Sequence, residues 1–389
     1  MTASLFATII LDGVGIGAQP DSGLYGDALS HTLGHVCAVA RPALPNLTRL
    51  GLGCIVPLEG VPPVSAPWAS FGRMREYSAG KDSTTGHWEL AGLRQEHPFP
   101  TYPQGFPNAL VAAFIEATGC GDVLGNMPAS GTVIVSELGE EHQRTGYPIV
   151  YTSADSVFQV AAHKDTIPLE DLYRMCAVAR REVCVGKHAV GRVIARPFVG
   201  APGTYTRVSA QRKDYSLLPP RTLQQTLQQH GVRTISVGKV SDLFGGIGFD
   251  EAYKTRSNAQ GIAETLRLMR AHGLDDGPTF LWTNLVDFDQ EYGHRNDPEG
   301  FARALEAFDR ELPDLLDALP PGGRLLITAD HGNDPTTPST DHSREYVPLL
   351  VCGAGEGRNL GTRLSFNDHA ATVAAYFDVP FETEGTSFE

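Results

Sequence analysis

Positive charge is the first thing this chain is short of. Its 389 residues carry 31 Lys and Arg against 45 Asp and Glu, a formal net charge of −14. No run of basic residues appears, which argues against a nucleic-acid binder, since such proteins present a basic face. Acidity does not exclude a phosphorylated substrate. Bound divalent cations reverse the local field whatever the global charge, and a surplus of carboxylates is what a metal site needs. Paired cysteines are missing too. The six (Cys37, Cys54, Cys120, Cys176, Cys184, Cys352) are scattered, without a C-x-x-C pair or a dense framework, and read as reduced core residues. Leu5 to Leu11 is apolar, but no basic region precedes it and Asp12 ends it. It therefore reads as neither signal peptide nor membrane span, and a cytoplasmic protein with no membrane partner is the expectation.

What is present fits a globular chain of about two domains: 41% hydrophobic and 20% charged residues, with no repeat or low-complexity tract. Short β-branched or leucine-rich runs alternate with helical patterns, the rhythm of an α/β protein with a mostly parallel sheet. LFATIIL (5–11), TISVG (234–238), TFLWTNLV (279–286), LLIT (325–328) and VPLLVCG (347–353) are the strand candidates. Phe301, Leu305, Phe308, Leu312 and Leu315 recur at steps of four and three, one apolar face of a helix. From about 97 to 217 the texture changes, opening on the Pro- and aromatic-rich HPFPTYPQGFP and closing at YSLLPPRTL. This predicts an inserted α+β cap domain over 97–217, with 1–96 and 218–389 forming one core.

Ligands of an open α/β sheet bind outside the carboxyl ends of its strands, so a polar residue just after an apolar run points into the crevice. LFATIIL is followed by Asp12, TFLWTNLV by Asp287, Asp289 and His294, and LLITA by Asp330 and His331. With 24 Asp and 13 His, about one Asp-His dipeptide arises by chance, so a lone one says little. Three occur. Asp368-His369 opens a helical pattern, where Asp reads as a cap and His as a surface residue. Asp330-His331 instead closes a buried-looking strand and leads through a Pro-rich loop to Asp341-His342. Jointly Asp12, Asp289, His294, Asp330, His331 and His342 supply three carboxylates and three imidazoles, enough for two divalent ions with mixed donors. The imidazoles point towards manganese, zinc or iron rather than magnesium or calcium.

Gly80-Lys81-Asp82-Ser83-Thr84-Thr85-Gly86-His87-Trp88-Glu89 packs three hydroxyls between glycines. Ordinary capping hydroxyls at a helix N-terminus are its plain reading. A metal-activated hydroxyl there could also take up phosphate and split a mutase reaction into two transfers. Gly13-Val14-Gly15-Ile16-Gly17-Ala18 fits a G-x-G-x-x-G/A dinucleotide pattern, but no helix, second strand and spaced acid follow it. A dehydrogenase is set aside on that ground.

The ordered strings LDGVGIG, GKDSTTGHWEL, YTSADSVFQVAAH, GRVIARPFVG, TNLVDFDQEYGH and TADHGNDPTTPSTDHSREYVPLL cover nearly the whole chain. In them the chain resembles the phosphopentomutases of the alkaline phosphatase superfamily. That resemblance implies an alkaline-phosphatase-like core with a cap. The implied activity interconverts the 1- and 5-phosphates of ribose or deoxyribose through a phosphoenzyme and a bisphosphate, linking nucleoside catabolism to pentose phosphate metabolism. It implies two manganese ions, one on Asp12, Asp330, His331 and the nucleophile's oxygen, the other on Asp289, His294 and His342, with Asp287 outside the ligand set. The family's nucleophile is a threonine three residues before Gly-His; here Ser83 stands there, and Thr84 is the alternative. Asp155, Arg196, Arg207 and Lys239 would hold the sugar and distal phosphate. A sugar bisphosphate such as glucose 1,6-bisphosphate would prime the enzyme, and the oligomeric state stays open, a monomer sufficing. A cofactor-independent phosphoglycerate mutase would carry Asn-Ser-Glu-Val-Gly-His at the nucleophile. A metallophosphatase would release inorganic phosphate, and a non-catalytic sugar-phosphate or metal binder would turn nothing over.

Overall fold

The computed structural model describes residues 4–153, 156–273 and 276–389. The chain forms two compact units, Met1–His97 with Pro219–Glu389, and Pro98–Leu218. Among the described residues the strands in chain order are β1 (Leu5–Leu11), β2 (Ser70–Met74), β3 (Leu124–Pro128), β4 (Ile149–Thr152), β5 (Val157–His163), β6 (Arg192–Val199), β7 (Thr206–Arg207) and β8 (Lys213–Ser216). They continue with β9 (Arg233–Val237), β10 (Glu251–Tyr253), β11 (Thr279–Leu285), β12 (Arg324–Thr328), β13 (Val347–Cys352) and β14 (Asn359–Arg363).

The first unit holds an eight-stranded sheet in the order β10-β9-β11-β1-β12-β13-β2-β14. β1 and β11 are buried at every position, as central parallel strands covered on both faces must be, which is why they read as largely apolar runs without polar alternation. Register sets the site. Leu11 lies opposite Leu285, Ile10 opposite Thr328, and Thr283 opposite Val237, so β1, β11, β12 and β9 end along one edge. Asp12, Asp289, Asp330 and Lys239 all follow that edge. The one strand against this direction is β13, antiparallel to both β12 and β2.

The helix Pro298–Asp317 starts with Pro298 at its first position and Asp297 capping the Gly300 N–H at 2.8 Å. Phe301, Leu305, Phe308, Leu312 and Leu315 are all fully buried on its inner face. Two expectations need correction. In the helix Asn367–Tyr376, Phe366 holds the cap position and Asp368 instead binds Arg363 and the Thr386 N–H. His369, expected at the surface, is fully buried, bonded to Thr8 Oγ1 at 2.9 Å and the Leu90 carbonyl at 2.7 Å, because this helix turns that face onto the sheet. Burial lowers its pKa to about 4. The six cysteines are free, but Cys54 and Cys120 are half-buried rather than in the core.

The second unit is a mixed sheet, β3-β4-β5-β6-β7, with β8 also pairing β6. Alternation divides its apolar residues between two faces: Val150, Phe158 and Val160 pack in one cluster, Ile149, Tyr151 and Ala161 in another. Among the described residues no helix is long and apolar enough to cross a membrane.

Candidate metal centre

Asp12, Asp330 and His331 meet at the strand ends with no exposed surface. His331 Nε2 lies 3.5 Å from Asp12 Oδ1 and 3.4 Å from Asp330 Oδ2. Its Nδ1 faces the Gly332 carbonyl at 3.1 Å, which leaves the Nε2 lone pair for the cluster. Asp12 Oδ1 is buried without a hydrogen-bond partner, while Asp12 Oδ2 faces the Lys239 ammonium and Asp330 Oδ2 the His87 ring. Buried carboxylate oxygens left bare are costly unless a cation is coordinated there. That observation, with three ligand atoms mutually within 4.8 Å, fits a divalent ion.

Asp289, His342 and His294 form the neighbouring group. His342 Nε2 is 3.4 Å from Asp289 Oδ1 and His294 Nε2 is 3.3 Å from Asp289 Oδ2. His294 Nδ1 donates to the Thr340 carbonyl at 2.6 Å, again freeing Nε2. The rings of His331 and His342 are 4.1 Å apart, so His331 also stands within ligand range of Asp289 and His342.

Ser83 joins them. It is the first residue of the helix Ser83–Leu90, which Asp82 caps by accepting from the Thr84 and Thr85 N–H groups. Thr85 gives its hydroxyl to Asp82 Oδ2 at 2.6 Å, so the capping work falls to Asp82 and Thr85. Ser83 Oγ is left to face His331 Nε2 at 3.1 Å and Lys239 Nζ at 2.8 Å. Lys239 Nζ also lies 2.5 Å from Asp12 Oδ2. The helix can approach because residue 86 is glycine: a Cβ there would fall 2.0 Å from the Asp330 carbonyl oxygen.

Charges set the protonation of the ion-free cluster. Burial, then Asp330, raises Asp12 well above the usual carboxylate range. Burial works the same way on Asp330, but His331 and His87 outweigh it and lower that group. Burial is likewise overcome at Asp289, which His342 and His294 hold well below the usual range. Burial carries His331 down to about 4, while at His342 burial is overcome by Asp289 and the pKa rises to about 9. Burial opposes the Lys239 ammonium, yet Asp12, Asp330 and Asp289 together raise it.

Two buried residues escaped the sequence reading. His87 places Nδ1 3.2 Å from Asp330 Oδ2, and Asn333 Nδ2 donates to Asp289 Oδ1 at 2.7 Å. Both lie inside the quoted strings GKDSTTGHWEL and TADHGNDPTTPSTDHSREYVPLL, in which they were given no role. Asp287 stays out of the cluster, exchanging hydrogen bonds with Asn258. The glycines of 13–17 make room for protein, not pyrophosphate: a Cβ on Gly15 would strike the Glu345 carboxylate at 2.4 Å, and Gly17 N–H, Thr32 and Ser343 all bind that carboxylate.

Arg196 and Arg207 lie in the second unit. Arg196 Nε donates to Gln159 Oε1 at 3.1 Å. Burial, then Arg212 and Arg207 nearby, lowers its pKa. Both face Tyr151, whose buried hydroxyl has no partner. Asp155 lies outside the described residues.

The sequence pattern of the Metalloenzyme superfamily matches residues 5–380. The chain belongs to that superfamily, metal-binding proteins, and its core is the alkaline-phosphatase-like α/β fold. Phosphopentomutase of Caldanaerobacter subterraneus subsp. tengcongensis is 54% identical over 384 residues, covering 98% of this chain and 96% of that one. The phosphopentomutases of Anaeromyxobacter sp. (strain K) and Acetivibrio thermocellus are 56% and 53% identical, each covering 98% of this chain and 97% of theirs. Within the superfamily, then, the chain belongs to the phosphopentomutases, a family of isomerases.

Proposed function

We propose that the chain moves a phosphoryl group between the C1 and C5 oxygens of ribose or deoxyribose, carrying it in between on Ser83. The observation that carries this reading is the setting of Ser83 Oγ, 3.1 Å from His331 Nε2 and 2.8 Å from Lys239 Nζ. Thr84, the alternative, makes its recorded hydrogen bond through backbone N–H to Asp82 rather than to the cluster.

Asp12, Asp330 and His331, with the Ser83 oxygen, would hold one ion, and Asp289, His294 and His342 the other; mixed carboxylate and imidazole donors suit manganese. Such ions neutralise phosphoryl oxygens and keep the attacking and departing oxygens in line. Lys239 adds a fixed positive charge beside Ser83 Oγ. With no ion bound, the surrounding carboxylates raise its pKa, and beside Ser83 Oγ its positive charge would stabilise negative charge on the transferring group. Ser83 also sits at a helix N-terminus, whose partial positive charge favours an anion.

Phosphorylated Ser83 gives its phosphoryl group to the free hydroxyl of the pentose phosphate. The Ser83 O–P bond breaks as the sugar O–P bond forms, and the proton given up by the sugar hydroxyl is matched by one taken up at the departing Ser83 Oγ. The resulting bisphosphate returns its other phosphoryl group to Ser83 Oγ. A bisphosphate such as glucose 1,6-bisphosphate would first load the serine. Residues 98–218 would serve as the substrate-holding cap, with Arg196 and Arg207 on the distal phosphate, a cationic grouping suited to bidentate capture. Asp155 would help hold the sugar. The reaction belongs to the cytoplasm, where pentose phosphates are made and used.

Purified protein incubated with ribose 1-phosphate, manganese and glucose 1,6-bisphosphate should form ribose 5-phosphate. Free phosphate in its place would mean a metallophosphatase, and no product a binding protein. A phosphopeptide map that puts the label on any residue but Ser83 would remove that assignment.

A further inference from the structure

Residues 75–82, between β2 and the helix that begins with Ser83, form no regular secondary structure. Backbone carbonyls in such a segment must be satisfied from elsewhere. Three of them turn to one side chain. Arg344 Nη2 donates to the Glu76 carbonyl at 2.9 Å, and Nη1 to the carbonyls of Ser78 at 2.7 Å and Gly80 at 2.6 Å. Arg344 is only 2% exposed, so these bonds form away from water. Asp21 Oδ2 at 3.0 Å and Glu76 Oε2 at 2.9 Å aim the guanidinium.

Arg344 stands two residues beyond His342, so the same short stretch presents a metal-ligand candidate and grips the segment leading to Ser83. A second brace runs beside it. The Arg344 N–H donates to Asp27 Oδ2 at 2.9 Å, and Asp27 takes Lys81 Nζ at 3.2 Å. Lys81 also reaches Asp341 at 3.2 Å, whose Oδ1 accepts the His342 N–H at 2.9 Å. Residues 76–83 and 341–344 are thereby tied together twice. A guanidinium presents five donors in a fixed planar fork that can meet carbonyls spread along the segment, whereas a lysine offers three rotatable donors from a single point.

We infer that Arg344 is a positioning residue for phosphoryl transfer: by holding the carbonyls of Glu76, Ser78 and Gly80 it sets Ser83 Oγ against the histidine and lysine that face it. This rests on Ser83 as the group that carries phosphate. Misplacing a reacting atom by about 1 Å costs on the order of 10²-fold in rate. Arg344→Lys keeps the charge and loses the fork; Glu76→Gln keeps Arg344 and loosens its aim.

Both variants are compared with wild-type holoenzyme for kcat, KM, bound manganese and melting temperature. The expected result is a kcat lower by about 10²-fold for Arg344→Lys and about tenfold for Glu76→Gln. KM should stay within about threefold and manganese content should match the wild type. A kcat at the wild-type level in the folded Lys variant overturns the inference. So does a loss of kcat that only follows a loss of metal and melting temperature in both variants, since that is what a purely structural arginine would give. Wild-type protein without mutase activity breaks the functional reading instead, and the inference falls with it.

Discussion

The two halves of the cluster solve the burial of charge in opposite ways. Around His331 the side chains of Asp12, Asp330 and His331 are completely enclosed; Asp12 Oδ1 has no hydrogen bond, and Lys239 lies against Asp12 Oδ2. Around Asp289 the groups are more open, with His294 37% and His342 11% exposed, and the carboxylate is bonded to Asn333 and faced by two imidazoles. The pKa directions follow. Asp12 rises and His331 falls to about 4, both chiefly by burial, whereas Asp289 falls and His342 climbs to about 9 against burial, each through the other's charge. Without an ion Asp12 is the frustrated group of the enclosed half, with Lys239 opposing its shift and His331 and His87 lowering Asp330, while the open half neutralises itself. The enclosed half is also the one that touches Ser83.

The largest effects should come where the halves meet the reactive oxygen. Ser83→Ala is expected to lower mutase turnover by on the order of 10⁴-fold or more, as removal of a nucleophile does, and to weaken binding of the ion that the Ser83 oxygen helps to hold. Ser83→Thr restores a hydroxyl and should restore turnover. His342→Ala is expected to lose manganese and about 10³-fold in turnover, because the enclosed half alone cannot hold both ions. Full activity with two ions bound would break the six-ligand grouping at that position.

The next contrast is in pH. A folded-state pKa of about 9 at His342, against roughly 6.5 for an unfolded histidine, is a raised value. The stability it contributes is complete below about 6.5 and lost as pH rises through about 9. Manganese needs the same Nε2 without its proton, so ion binding strengthens across that window. Metal-free protein should therefore melt lower as pH rises from 6.5 to 9, while the increment given by manganese grows. At a hundredfold excess over Kd that increment is about 2.7 kcal/mol. Differential scanning calorimetry with and without chelator measures both curves, and two curves falling together would contradict the self-neutralised state of the open half.

Which parts of this were legible in the sequence depends on whether the signal is local. β1 was, because its short β-branched apolar run, ended at once by Asp12, has the length and composition of a buried strand, and so was the inner face of Pro298–Asp317, where five apolar residues recur at helical spacing. The acids that end strands pointed to one edge because parallel register aligns those ends. Strand direction was not legible: VPLLVC reads alike in either sense, and only pairing with β12 and β2 turns β13 antiparallel. His87 and Asn333 act through contacts across about 240 and 40 residues of sequence, on Asp330 and Asp289, which no local pattern records. His369 misled because a histidine at a helix start is polar by type, and its two buried hydrogen bonds come from distant elements. The Gly13–Gly17 run, already set aside as a dinucleotide motif, does answer a need for small residues, and that need is set by Glu345 rather than by a ligand.

The smallest effect is the sharpest test of the contrast. Asp12 lies beside Asp330 in the enclosed half, and burial followed by that neighbour raises its pKa, with Lys239 opposing. A carboxyl whose folded pKa is raised adds stability below its unfolded value near 3.9 and loses it as pH climbs through the folded value. Metal-free protein at neutral pH therefore carries the strain of an ionised or reluctantly protonated group. Asp12→Asn removes that charge at nearly constant volume. Mutase activity should vanish, yet the metal-free variant should be about 1 kcal/mol more stable than metal-free wild type, and manganese should stabilise it less. His342→Ala without metal should move the other way, because it takes from Asp289 the cation that balances it. If Asp12→Asn proved less stable than wild type in chelator, the Lys239 pair would outweigh burial and Asp330, and the enclosed half would be no more frustrated than the open one.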